Sequence, residues 1–152
     1  MSKTLIAYYS YSGNTKSVAQ KIQEITKGDI FEIKPVQAYP VDYNAVVAQA
    51  QKEKMTGYKP QLIQNIDLSD YDTIYIGTPV WWYTFATPIR TFLEENNFEG
   101  KTIMPFCTHG GGGASSTYLD MKKLAIGAIF KEGFTSYNNS AKQSEIENWI
   151  YG

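Results

Sequence analysis

The sequence predicts a doubly wound α/β domain, a five-stranded parallel sheet with helices on both faces. Strand-type runs alternate with helix-type periodicity five times along the chain. Each strand is separated from the next by a helical crossover, which parallel strands need. The first strand, Leu5 to Tyr9, is almost unbroken in its apolar and aromatic character, as expected of a strand covered on both faces. The alternation runs through residues 1–152 as one domain, without internal repeats, low-complexity tracts or a linker.

Each element has its own local signal. Leu5 to Tyr9 leads into a polar turn that starts at Ser10 and is tightest at Gly13. The next helix carries Val18, Ile22 and Ile25 at spacings of four and three; Asn14 or Thr15 caps its start, and Lys27-Gly28 gives a cationic last turn and a stop. Ile30 to Ile33 is a short second strand. Asp42 caps a helix reaching Lys54, with Val46, Val47 and Ala50 as its apolar stripe, its charged residues as a solvated face, and Gly57 and Pro60 beyond its end. Thr73 to Thr78 is the third strand and runs into a loop at Pro79. Thr87 as N-cap and Pro88 at the first helical position open a helix that turns Ile89, Phe92 and Leu93 inward. Thr102 to Thr108 is the fourth strand. Ser115 or Ser116 caps a helix carrying Leu119 and Leu124, and the stretch from Ala125 to Phe134 contains the fifth strand. Ser140 and Gln143 fit a capping box for the last helix, which docks through Ile146, Trp149 and Ile150.

Composition narrows the function. A chain of 152 residues buries roughly two-thirds of its unfolded surface without staples. Lys plus Arg number 14 against 15 Asp plus Glu, a net charge of −1, so no nucleic acid or acidic membrane surface is expected as a partner. Cys107 is the only cysteine, which rules out an internal disulfide and a cysteine-based metal site and suits a reducing cytoplasm. Met1-Ser2-Lys3 leads into an apolar run of strand length with no small-residue cleavage site, and no segment reaches the roughly 20 apolar residues of a membrane span. Aromatic residues make up 14% of the chain; most serve a core, and a planar ligand is another use for them.

Ligands of doubly wound sheets bind beyond the carboxyl ends of the strands, and three loops of unusual chemistry fall at that edge. The first is Ser10 to Thr15, where loop amides and a helix N-terminus converge on an anion and Ser10, Ser12 and Thr15 add hydroxyls. It has no Gly-x-x-x-x-Gly-Lys, and its lone Gly13 cannot form the three-glycine dinucleotide turn. The second is Thr78-Pro79-Val80-Trp81-Trp82-Tyr83-Thr84-Phe85, with four aromatics beyond a central strand. The third is His109-Gly110-Gly111-Gly112-Gly113-Ala114-Ser115, whose four glycines let backbone N–H groups approach a ligand. Together they describe a ligand with a phosphate at one end and a flat ring at the other. Plainer readings stand beside this one: a strand, polar turn and capped helix for the first loop, hydrophobic anchoring or a partner interface for the tryptophans, and a locally hydrogen-bonded loop residue for His109. Cys107 reads as a strand-end core thiol.

The combination resembles the flavodoxins, which bind FMN, along essentially the whole chain. Ser10-Tyr11-Ser12-Gly13-Asn14-Thr15 matches the family's phosphate loop, so that Ser10, Ser12, Gly13, Asn14 and Thr15 inherit the phosphate role with Tyr11 among them. Thr78-Pro79-Val80-Trp81-Trp82 is similar to the flavin-packing loop of a bacterial subgroup, with Tyr83 following. Pro105-Phe106-Cys107-Thr108-His109-Gly110-Gly111 resembles its second ring-binding loop, and Tyr39-Pro40-Val41-Asp42-Tyr43 is a further match. The resemblance implies strand order 2-1-3-4-5 in a short-chain member. It also implies that Trp81 or Trp82 covers one ring face while the backbone of Thr108, His109, Gly110, Gly111, Gly112 and Gly113 meets the pyrimidine edge. The implied function is electron transfer by non-covalently bound FMN between a reductase and acceptor proteins, in a cytoplasmic monomer or weak dimer.

Three departures bear on that function. The chain is nearly neutral where flavodoxins are strongly acidic. The third loop offers glycines and His109 where well-studied carriers stack a tyrosine. Tyr83 stands where related loops often have glycine, which disfavours a backbone flip that stabilises the flavin radical in many members. An open ring face suits a nicotinamide or quinone, so the alternative is an FMN-dependent NAD(P)H:quinone-type reductase with His109 placed to move a proton. A non-catalytic flavin-binding module is the third reading.

Overall fold

A computed structural model describes residues 3–152; the part of the N-terminal reading that concerns Met1 and Ser2 lies outside the described residues. Strands β1 (Thr4–Tyr8), β2 (Asp29–Glu32), β3 (Thr73–Trp81) and β5 (Thr102–His109) form the parallel centre of the sheet. Their order is β2-β1-β3-β5, and two short strands, β6 (Ile129–Phe130) and β7 (Phe134–Tyr137), both pair parallel with β5 at the far edge. The antiparallel exception is β4 (Thr84–Phe85), which folds back on the end of β3.

The pleat sorts side chains to two cores. Leu5, Ala7, Ile74, Ile76 and Ile103 point to the face covered by α2 (Tyr43–Thr56), α3 (Thr87–Glu94) and α4 (Thr117–Leu124), where Val46, Ile89, Phe92 and Met121 are buried. Ile6, Tyr8, Tyr75 and Phe106 point to the other face and meet Val18, Ala19 and Ile22 of α1 (Asn14–Thr26) and Ile146 of α5 (Gln143–Tyr151). Each fully buried Leu, Ile or Phe contributes roughly 1.5–3 kcal/mol, so both faces are needed to hold a strand between them. Among the described residues no helix is long and apolar enough to cross a membrane.

The fold class is that expected, and the differences lie in local detail. The N-cap of α1 is Gly13, at φ 99°, instead of Asn14 or Thr15, and the helix ends on left-handed Lys27 before Gly28. Ser10 does the capping from outside, its Oγ accepting from the amides of Gly13 (3.1 Å) and Lys16 (3.2 Å). The cap of α2 is Asp42 as expected, its carboxylate accepting from Ala45 N at 2.9 Å, but the charged face is not wholly solvated because Glu53 is buried. Thr87 is the first residue of α3, not its cap; Ala86 occupies that position and its amide is held by Thr78 Oγ1 at 2.9 Å. In α4 the inward residue is Met121, while Leu119 is 59% exposed. The capping box of α5 uses Glu145 and the amide of Lys142 (2.8 Å), not Ser140 and Gln143.

The fifth strand departs most. It is shifted toward the C-terminus and broken in two, so the order 2-1-3-4-5 holds only when β6 and β7 are taken as one position. The break has a visible cause. The Tyr118 ring from α4 lies against Gly133, where any Cβ would collide with it, and the Tyr118 hydroxyl donates to Phe134 O at 2.6 Å.

Candidate functional site

The three loops converge beyond the carboxyl ends of β1, β3 and β5 on a cleft of about 530 Å³. Among the described residues no Asp, Glu, Lys or Arg side chain lines it. Its polar end is made of hydroxyls, amides and the N-terminus of α1, and its apolar end of aromatic and aliphatic side chains.

At the polar end Ser12 is exposed and, with Tyr11 and Asn14, lines the cleft. Ser10 lies below, occupied by the two amides it caps, and Gly13 provides the turn above it. Thr15 is buried, its hydroxyl 2.8 Å from that of Thr108, so it joins the first loop to the third. The N-cap of α1 supplies no side-chain hydrogen bond, which leaves the positive end of the helix open at Asn14. Tyr11 leans away from the loop: its ring meets Trp81 edge-on at 5.9 Å, and its hydroxyl donates to the carbonyls of Pro40 and Val41 (3.3 Å to the latter).

The second loop is a hairpin. β3 continues through Pro79 and Val80 to Trp81, and the chain reverses at Trp82 and Tyr83 with φ of 49° and 69°. Two positive φ values at the turn centre match the twist of a two-residue hairpin, yet bulky side chains adopt them at a cost of roughly 1–2 kcal/mol each. The turn persists because neighbours hold it. Trp82 Nε1 donates to Val47 O at 2.7 Å, Lys54 Nζ to Trp82 O at 2.6 Å, and Ser116 N to Tyr83 O at 2.9 Å. Trp81 is set by rings, edge-on to Tyr39 at 4.9 Å and to Tyr9 at 5.5 Å. Thr78 is fully buried and supports the base of the hairpin through Ala86 without lining the cleft.

The third loop is held from within. His109 Nδ1 accepts from the amides of Gly111 and Gly113, both at 3.1 Å, which places the ring proton on Nε2. Gly111 and Gly113 take φ of 139° and 76°, values a side chain would resist. Thr108, His109, Gly110, Gly112 and Gly113 line the cleft, and Gly111 lies outside its wall. Cys107, one residue earlier, is buried with its Sγ 3.2 Å from the Tyr118 hydroxyl. Burial pushes its thiol up from the ordinary value, against the two hydroxyls that pull it down. It is a core thiol.

The sequence reading missed a fourth wall. Tyr43, Val46, Val47 and Ala50 of α2 also line the cleft, as do Ser115 and Asn138. Tyr43 is 75% exposed there. The stretch from Tyr39 to Tyr43 was the available signal: it holds Trp81, receives Tyr11, caps α2 and presents Tyr43, all within five residues.

A family model described as Flavodoxin matches residues 3–152. The protein named NAD(P)H dehydrogenase (quinone) 3 from Rhizobium meliloti is 30% identical over 159 aligned residues, covering 96% of this chain and 73% of that protein. A structure from Bacteroides uniformis, 31% identical, superposes with a TM-score of 0.88 over 99% of both chains. The flavoprotein from Lactobacillus acidophilus solved in complex with FMN is 30% identical, with a TM-score of 0.76 over 99% of both chains.

Proposed function

The chain belongs to the flavodoxin family, and from that premise we propose that its cleft holds FMN non-covalently and lets the ring exchange electrons directly with NAD(P)H and a quinone-type acceptor. The observation that carries the reading is the asymmetry of the cleft: Tyr and Trp rings are supplied by the first two loops and α2, and the glycine loop brings backbone and His109 but no Phe, Tyr or Trp side chain. A flat substrate can stack where no side chain covers the ring. The name of the Rhizobium relative supports the same chemistry, and the near-neutral charge gives little steering toward a basic protein partner.

The residues fit the group. A phosphate monoester is a dianion, and the polar end meets it with Ser12, loop amides and the α1 N-terminus, with no carboxylate on the wall to repel it. When bound, FMN supplies the acceptance and return of a hydride equivalent. The chain binds and orients: Trp81 and Trp82 exclude water from one face, and the backbone of Thr108 to Gly113 reads the polar edge. His109 presents Nε2–H as a donor while its other nitrogen is taken.

A one-electron carrier serving a reductase and acceptor proteins is the second reading, favoured by the flavodoxin match along residues 3–152. Anaerobic titration of the FMN-loaded protein with NADPH and NADH separates them. Rapid bleaching of the flavin absorbance, reversed by a quinone, is the expected result. A spectrum unchanged by both nicotinamides and bleached only by dithionite would give the carrier reading instead. The phosphate assignment has its own test in Ser12→Asp. Two like charges about 4 Å apart near a protein surface repel by roughly 4 kcal/mol, and with screening at this exposed site FMN binding should weaken roughly a hundredfold. Riboflavin, which has no phosphate, should lose far less; equal losses would remove the phosphate from this loop.

A further inference from the structure

Among the described residues Glu53 is the one acidic or basic side chain that folding buries, at 8% exposure. A buried carboxylate is expensive unless a cation pairs with it. None does: the ion pairs among the described residues join Lys3 to Asp29, Lys34 to Glu32, Lys59 to Glu95, Arg90 to Glu94 and Lys123 to Asp120. Its partners are neutral donors. The Tyr39 hydroxyl donates to Oε1 at 2.6 Å and Gln49 Nε2 to Oε2 at 3.0 Å, so each oxygen has a partner. Burial and this hydrogen bond hold the Tyr39 phenol far above its ordinary range, and it stays a donor.

The position of this charge is as telling as its burial. Tyr39 lies edge-on to Trp81 with ring centroids 4.9 Å apart, and Trp81 is part of the cleft wall. Ala50, one helical turn before Glu53, lines the same wall. Behind Trp81 is a smaller cavity of about 270 Å³ whose lining includes Glu53, Lys54, Arg90 and Lys123. None of those cations pairs with Glu53: Lys54 donates to the neutral Trp82 carbonyl, Arg90 pairs with Glu94, and Lys123 pairs with Asp120, which lines the same cavity. The cleft has no Asp, Glu, Lys or Arg side chain of its own, so Glu53 brings a carboxyl group one aromatic layer behind it, in a cavity that it shares with Lys54, Arg90, Lys123 and Asp120.

We infer that Glu53 shifts the redox balance of the bound ring, with Tyr39 as the hydrogen-bonded neighbour between it and Trp81. Reduction adds electron density to the ring, and a fixed negative charge across a low-dielectric aromatic wall disfavours that form while leaving the oxidised form nearly untouched. The inference rests on the FMN reading and adds to it a group that does not line the cleft.

Equilibrium dissociation constants for oxidised and dithionite-reduced FMN, measured anaerobically at neutral pH, test it without an activity assay. Glu53→Gln keeps an acceptor for Tyr39 and removes the charge. It should leave the oxidised constant within about twofold of wild type and tighten reduced FMN about tenfold, equivalent to a rise of about 30 mV for a two-electron couple. Tyr39→Phe keeps the charge and should leave the ratio of the two constants within about threefold of wild type. The double variant Tyr39→Phe/Glu53→Met removes the bonded pair together, an exchange that is often neutral for stability. It carries the tenfold expectation should Glu53→Gln fail to fold. An unchanged ratio in the charge-free variants, or equal weakening of both constants, would overturn the role of Glu53 while FMN binding by the wild type stands. Failure of the wild type to bind FMN would overturn the cofactor reading and the inference with it.

Discussion

The two loops that face each other across the cleft are held by opposite means. The hairpin tip at Trp82 and Tyr83 adopts a backbone unsuited to its residues and is kept there by Val47, Lys54 and Ser116, none of them in the hairpin. The glycine loop puts glycine at its positive-φ positions 111 and 113, with Ser115 at its end the exception, and is kept by its own His109, whose single nitrogen takes two of the loop's amides. The hairpin therefore has distributed support, so losing one tether should cost little. The glycine loop has one keystone, and losing it should cost a great deal.

The largest effect should come from that keystone. His109→Ala removes the acceptor of two amides in a loop that also forms the cleft wall, and unsatisfied donors cost roughly 1–3 kcal/mol each where water cannot replace the partner. With partial solvation, FMN and riboflavin binding should both weaken about thirtyfold, as read by flavin fluorescence quenching. His109→Asn offers a carbonyl oxygen near the position of Nδ1 and should recover much of the loss. If His109→Ala binds both flavins as the wild type does, the loop is not held from within and the comparison breaks.

The tethers of the hairpin should each matter less. Trp82→Phe keeps an aromatic ring and removes the hydrogen bond to Val47 O; Lys54→Met removes the bond to Trp82 O. A typical hydrogen bond contributes about 1 kcal/mol net, so each variant should weaken FMN about fivefold. Because the two bonds hold one turn, the double variant should lose more than the product of the singles. Strict additivity would show that the tethers act separately, and that the tip is not one supported unit.

These differences also explain what could be read from the sequence. Alternating strand and helix signals gave the fold class and the edge at which the loops meet, because each is a local pattern. The hairpin looks like a loop in the sequence because Trp82-Tyr83 lacks the Asn-Gly chemistry of two-residue turns; its support comes from α2 and the start of α4, distant in sequence. Tyr43 and Val47 looked like ordinary helix residues, and only packing of α2 beside β3 turns them to the cleft. Glu53 looked like a surface charge, since neither spacing nor composition shows that its helix turns it toward Tyr39. The split of the fifth strand depends on Tyr118 arriving over Gly133 from another element. What escaped the sequence in each case was a tertiary contact overriding a local preference.

The smallest effect tests the strain itself. Tyr83 has φ 69° and an exposed side chain, and Tyr83→Gly removes the side chain's resistance to that conformation. The gain of roughly 1 kcal/mol is partly offset by the greater freedom of glycine in the unfolded chain and by loss of the Lys54 ammonium over the Tyr83 ring. The net change should be a rise in Tm of up to about 2 °C, by calorimetry of the flavin-free protein. Glycine would also allow the peptide beyond Trp82 to rotate, were it not for Ser116 N on Tyr83 O and Lys54 on Trp82 O. FMN affinity should accordingly stay within about twofold of wild type. A clear fall in Tm would mean that the Tyr83 ring itself supports the turn, making the hairpin, like the glycine loop, dependent on a side chain of its own.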